Sequence, residues 1–228
     1  MVSDQQEDDA DDLTDAAHSL LERFETGGER TDLAAAIDLY ERALAALLPD
    51  ENPWTFLNNL GNALRVAYGR FGEMALLERG GVVLRAAEDT CPADERAVVL
   101  DNLALTLRDT AIATDDLEPL REGVQLHRRA VTLLAAEDPE RPRYLDNLGG
   151  AHWELYAVTG DVAALVAAEA CFRDAVQGTD QFSPDLSLRR TNLAMARHGV
   201  YRVTGDATKL VGDRDGPARG PRLDLDPR

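Results

Sequence analysis

The run Leu57-Asn-Asn-Leu-Gly-Asn-Ala-Leu-Arg65 comes back as Leu100-Asp-Asn-Leu-Ala-Leu-Thr-Leu-Arg108 and again as Leu145-Asp-Asn-Leu-Gly-Gly-Ala-His-Trp153. A weaker copy stands at Arg190-Thr-Asn-Leu-Ala-Met-Ala-Arg197. The shared asparagines Asn59, Asn102, Asn147 and Asn192 are separated by 43, 45 and 45 residues. A fixed period of this size marks a stacked array of helical units, in which each unit buries its apolar face against its neighbours. On a helix turning 100° per residue, Leu57, Leu60, Gly61 and Leu64 form one stripe, the core face. Asn58, Asn59, Asn62 and Val66 then fall on the opposite side.

Thirteen residues beyond the asparagine column lie Gly72, Asp115, Gly160 and Gly205, and the same offset from Asp15 gives Gly28. Glycine at the end of a helix accepts the left-handed conformation that closes it. Asp32, Asp116, Asp161 and Asp206 follow or lie close by, suited to capping a second helix. That second helix carries a small–bulky–small pattern: Ala36, Tyr40 and Ala43; Gly80, Leu84 and Ala87; Gly123, His127 and Ala130; Ala168, Phe172 and Ala175. Small flanks let two helices approach while one bulky knob fills the gap. Prolines (Pro49 or Pro53, Pro92, Pro139, Pro184) end each unit and suit the first position of the next helix.

Each unit is therefore expected to be a hairpin of helix A and helix B. Four complete units are expected at 13–52, 53–91, 92–138 and 139–183, with a fifth helix A from Pro184 to Val203 as a cap. Residues 1–12, with six acids and no base, and residues 211–228, rich in Pro, Gly, Asp and Arg, are expected to be disordered tails around a solenoid at 13–210.

The Leu57-x2-Leu60-Gly61-x2-Leu64 pattern, with Ala-x3-Tyr/Phe-x2-Ala on helix B, resembles the tetratricopeptide repeat. The units are longer than the usual 34 residues. With the Asn-Leu-Gly and Thr-Gly-Asp signatures (Thr159-Gly160-Asp161, Thr204-Gly205-Asp206), they look like arrays of actinobacterial proteins, where such arrays often precede a caspase-like CHAT protease domain or accompany signalling ATPase domains. The resemblance implies an all-α, right-handed solenoid whose concave groove, lined by helix A, binds a protein or peptide without catalysis. It implies further that the asparagine column runs along that groove.

Two readings of that column stand open. The amides form a ladder that holds an extended guest backbone, or each Asn bonds the neighbouring helix A. The expected groove residues are Asn58, Asn59, Asn62, Arg65, Asp101, Asn102, Arg108, Asp146, Asn147, Trp153 and Asn192. The carboxylate clamp of the repeat family is poorly matched: Asn62 fits its slot, but Leu105 and Gly150 follow, and the clamp lysines are missing. Trp153 is the strongest candidate anchor, since large aromatics dominate interface energetics; packing at a unit junction would explain it equally well.

Composition narrows the partner. The formal net charge is −18, with 44% hydrophobic and 5% aromatic residues. So acidic an array repels phosphate backbones, which disfavours nucleic acid and favours a basic peptide or protein. No apolar run suits a membrane span, and the acidic N-terminus is unlike a targeting peptide, so a cytoplasmic location is expected. His18, His127, His152 and His198 lack ligand spacing, Cys91 and Cys171 have no histidine near in sequence, and no phosphate loop follows Gly80-Gly81. Neither metal nor cofactor is expected. Two further roles remain as alternatives: the sensor part of a CHAT protease or signalling ATPase system, and an array that self-associates through its ends.

Overall fold

The computed structural model describes residues 9–27, 29–206 and 208. The described residues form nine helices and no strand: α1 (Ala10–Glu25), α2 (Arg30–Ala46), α3 (Trp54–Phe71), α4 (Met74–Thr90), α5 (Arg96–Thr114), α6 (Leu117–Leu133), α7 (Arg141–Thr159), α8 (Val162–Gly178) and α9 (Leu186–Thr204). The odd-numbered helices are the A helices and the even-numbered ones the B helices, so the expected four hairpins and lone fifth helix A stand in order. Each helix packs on its neighbours in sequence. The A helices of successive units also touch directly, α3 with α5 and α5 with α7, and no pair of B helices approaches as closely. The stack is thus tighter on the A side at these two junctions.

The local reasons are those of the sequence. Gly72, Gly160 and Gly205 end their A helices at φ +70°, +71° and +72°, and Asp115 takes the same slot at φ +56°. Asp116 and Asp161 cap the following B helices through the backbone N–H groups of Glu118 and Ala163. Asp206 repeats the motif by accepting from the Thr208 N–H. The knobs Tyr40, Leu84, His127 and Phe172 and their small flanks are all buried. Leu33, Leu77, Leu120 and Leu165 add a second buried residue in the first turn of each B helix. Fully burying such a side chain contributes roughly 1.5–3 kcal/mol.

Several expectations need correction. Residues 10–12 belong to α1: Asp9 caps the Asp11 N–H, and Asp11 and Asp12 sit in the first turn, where acids oppose the positive helix end. Residues 1–8 and 209–228, and the turn residue Gly28, lie outside the described residues. Asp32 is not an N-cap but the third residue of α2, accepting from the Glu29 N–H and pairing with Arg23. The unit-ending prolines do not open helices at their first position. Pro53 is the residue before α3, and Pro92, Pro139 and Pro184 shape the turns upstream of α5, α7 and α9. The core stripe is rotated as well. Leu57 is only half-buried while Asn58 is buried, because each A helix is covered on two sides, by its own B helix and by the neighbouring units.

The last helix closes the array. Ala194 holds the slot that is buried at Gly61, Ala104 and Gly149, and it is exposed. Arg197, in the slot of Leu64, Leu107 and His152, reaches back to the buried Glu169 carboxylate at 3.3 Å. A charged side chain stands where the preceding A helices present Leu, Leu and a buried His, which suits an outer face of a stacked array.

Candidate functional site on the A-helix face

The asparagine column does not face an open groove. Asn102 Nδ2 donates to Asn58 Oδ1 at 2.9 Å, Asn147 Nδ2 to Asp101 Oδ2 at 2.9 Å, and Asn192 Nδ2 to Asp146 Oδ1 and Oδ2 at 3.2 and 3.3 Å. Each amide therefore bonds the preceding A helix, one bond per junction, and the second of the two open readings describes the contact. At the first junction the acceptor slot holds Thr14, whose buried hydroxyl has no partner. Asn58 and Asp101 are buried, at 7% and 0% exposure, so neither can line a surface for a guest. The reason is that the ladder is polar but lies between helices, where buried polar groups pair with each other rather than with solvent.

Asp101 is the centre of a denser cluster. Its carboxylate accepts from His127 Nδ1 at 2.7 Å, from an Arg143 guanidinium N–H at 3.2 Å and from the Asn147 amide. Arg143 in turn lies 4.3 Å above the Tyr144 ring. His127 Nε2 is buried without a partner. His127 was expected as an apolar-style knob, and it does fill the knob slot. Its hydrogen bond to Asp101 crosses from α6 to α5 and is not visible in a linear repeat.

Arg65 and Arg108, expected in the groove, are bound into a chain of charge across the A helices. Arg65 meets Asp109 at 3.5 Å and Asn62 at 3.3 Å, Arg108 meets Asp109 at 3.0 Å, and Arg108 stands 3.8 Å from Glu154. Asn59 is half-buried beside them.

A depression of about 220 Å³ opens on the A-helix face between α5, α7 and α9. It brings together five of the expected residues: Arg108, Asp146, Asn147, Trp153 and Asn192. Asn58, Asn59, Asn62, Arg65, Asp101 and Asn102 lie elsewhere. The reading from sequence missed Glu154, Phe172 and Met195, and did not see what Gly150 does. Gly150 follows Asn62 and Leu105 and precedes Met195 in one column, and a Cβ built there would meet nothing within 4 Å. The missing side chain is the hollow. Asp146 and Glu154 lie one turn to either side of it, about 6 Å along the axis. Trp153 forms a wall and also packs on the cluster of Ala168, Phe172, Leu193 and Ala196. The packing at the unit junction is thus the role of Trp153 that the contacts describe. Burial pushes the Asp146 carboxyl above its usual range against the opposing Asn192 amide, and it pushes Glu154 up against the Arg108 charge.

Burial raises the Cys171 thiol to about 11, far from a reactive thiolate, and raises Cys91 as well. No group of three or more His, Cys, Asp or Glu suited to a metal exists among the described residues. Among those residues no helix is long and apolar enough to cross a membrane.

No family model matches the chain, and no curated protein matches it in sequence. Among solved structures it is similar to the crystal structure of BtubC (BKLC) from P. vanneervenii, at 19% identity and a TM-score of 0.63, covering 96% of this chain and 89% of that one. At that identity the likeness establishes a shared all-α architecture and nothing more.

Proposed function

We propose that the protein is a non-catalytic scaffold of the tetratricopeptide type that binds a peptide or protein partner in the cytoplasm, and that the partner seats in the depression around Gly150. The observation that carries this reading is the interruption of the repeat at one place. The slot filled by Asn62, Leu105 and Met195 is empty at Gly150, and the hollow is walled by Trp153 and floored by Phe172. Concave, mostly apolar hollows with a few placed polar groups are the usual form of binding sites. A half-exposed Trp fixed by its own packing suits an interface anchor. The thiols of Cys91 and Cys171, raised by burial, support a binding role over thiolate catalysis.

The test is a random peptide library displayed and panned against wild type and against Gly150→Leu. Leucine already fills this slot at Leu105, and a Cβ at position 150 meets nothing within 4 Å. Helix propensity improves by roughly 1 kcal/mol, so the variant folds. Peptides enriched on wild type and lost on Gly150→Leu are expected. No enrichment, or equal retention by both proteins, sinks the reading.

A further inference from the structure

Asp101 and Asp146 hold the same slot in successive A helices, 45 residues apart, yet their surroundings differ. Asp101 has three donors: His127, Arg143 and Asn147. One period later those partner slots hold Phe172, Leu188 and Asn192. The amide bond is kept, at 3.2 and 3.3 Å, and the histidine and the arginine are replaced by apolar side chains. Asp109 and Glu154 make a second such pair. Asp109 is held by Arg65 at 3.5 Å and by Arg108 at 3.0 Å. Glu154 keeps the cross-junction contact, with Arg108 at 3.8 Å, but the slot of its adjacent arginine holds Trp153. Its Oε2 is buried with no hydrogen-bond donor.

The same two carboxylates therefore recur in unit four with one histidine and two arginine positions exchanged for Phe172, Leu188 and Trp153, and the hollow of Gly150 lies between them. A part-buried carboxylate gains from a close counter-charge; Asp101 and Asp109 each have an arginine N–H at 3.2 and 3.0 Å, whereas Glu154 has Arg108 only at 3.8 Å and the Arg189 charge offsets the burial of Asp146 only in part. Resting on the scaffold reading above, we propose that this hollow receives an arginine side chain of the partner, whose guanidinium gives Asp146 and Glu154 the charge that Arg143 and Arg108 give Asp101 and Asp109. A planar guanidinium fits both parts of the site. It bonds carboxylates through a fork of N–H groups and stacks on aromatic rings, here those lining the hollow, as Arg143 already lies over Tyr144. The burial-raised carboxyls agree with the assignment, since a bound cation favours their ionised form.

The experiment titrates a blocked Ala-Arg-Ala tripeptide, and the same tripeptide with citrulline in place of arginine, into nitrogen-15-labelled protein. The indole resonance of Trp153 is followed, with Trp54 of α3 as an internal reference. The arginine probe is expected to shift the Trp153 signal saturably, and the uncharged citrulline probe to bind about tenfold or more weakly, as loss of a charge-assisted pair requires. Leu188→Arg, at a position 61% exposed and so tolerant of change, restores the internal cation and is expected to weaken the arginine probe by a similar factor. Equal binding of the two probes, an unaltered Leu188→Arg variant, or no shift of Trp153 up to the solubility of the arginine probe overturns the assignment. Panned peptides that lack a cation but still require Gly150 would remove this inference and leave the scaffold. A failure to pan any peptide would sink the scaffold reading and this inference with it, whatever the tripeptide does.

Discussion

The Asp101–His127 pair can be exchanged for the arrangement that the same molecule uses one unit earlier. The corresponding slots in unit two hold Asn58 and Leu84, where the Asn102 amide donates to Asn58 at 2.9 Å and Leu84 is buried as an ordinary knob. Removing one partner from unit three leaves the other stranded. His127→Leu leaves a carboxylate that is 1% exposed with two donors instead of three. Asp101→Asn removes the charge and turns an amide N–H₂ toward donors. A hydrogen bond to a buried charged group is worth about 1.5–3 kcal/mol, so each single substitution is expected to cost about 2 kcal/mol. In a domain of this size that lowers Tm by roughly 4–8 °C. Replacing both partners of a buried ion pair by well-packed residues is often neutral. The double variant is therefore expected within about 1 kcal/mol of wild type, a coupling of about 3 kcal/mol. Urea denaturation followed by circular dichroism at 222 nm gives all four corners of the cycle. A double variant that loses the sum of the two singles, about 4 kcal/mol, would refute the claim that the two slots form one unit.

Three further outcomes follow from the same geometry. Asp115 adopts φ +56°, where its three counterparts are glycine, so Asp115→Gly is expected to raise stability by up to about 1 kcal/mol in denaturant titration, and Gly160→Ala to lower it by about as much. A Cβ on Gly149 would come within 2.7 Å of the Phe172 ring, so Gly149→Ala forces an overpacked junction between α7 and α8 and should cost about 1–3 kcal/mol; Gly150→Ala, one residue on, should not destabilise at all. Burial, aided by the Arg128 charge, lowers the His152 pKa from its ordinary 6.5. A base held neutral in the fold takes up its proton more readily when unfolded, so its contribution is complete above 6.5 and is lost as pH falls from there toward the folded value. His152→Leu, matching Leu64 and Leu107, should flatten that part of the stability–pH profile; an unchanged slope would show that burial of His152 is not its cause.

Much of this protein is local and periodic, and to that extent the linear sequence sufficed. The period of the asparagines, the left-handed turn slots and the small–bulky–small pattern placed nine helices to within a few residues, because each is set by backbone conformation and by contacts one turn or one unit away. Even the slot that opens the pocket stands in the sequence, as Gly150 in a column with Asn62, Leu105 and Met195. What a column cannot tell is which way it faces. An A helix is covered on two sides, and only the stacking angle decided that Asn102, Asn147 and Asn192 bond their neighbours while Asp146 and Trp153 reach the A-helix face. The pairing of Asp101 with His127 and Arg143 likewise joins three helices across 26 and 42 residues. Charge, unlike apolar periodicity, carries no register of its own, so the partners of each carboxylate, and the apolar side chains that replace two arginines around Asp146 and Glu154, became apparent only when the units were stacked.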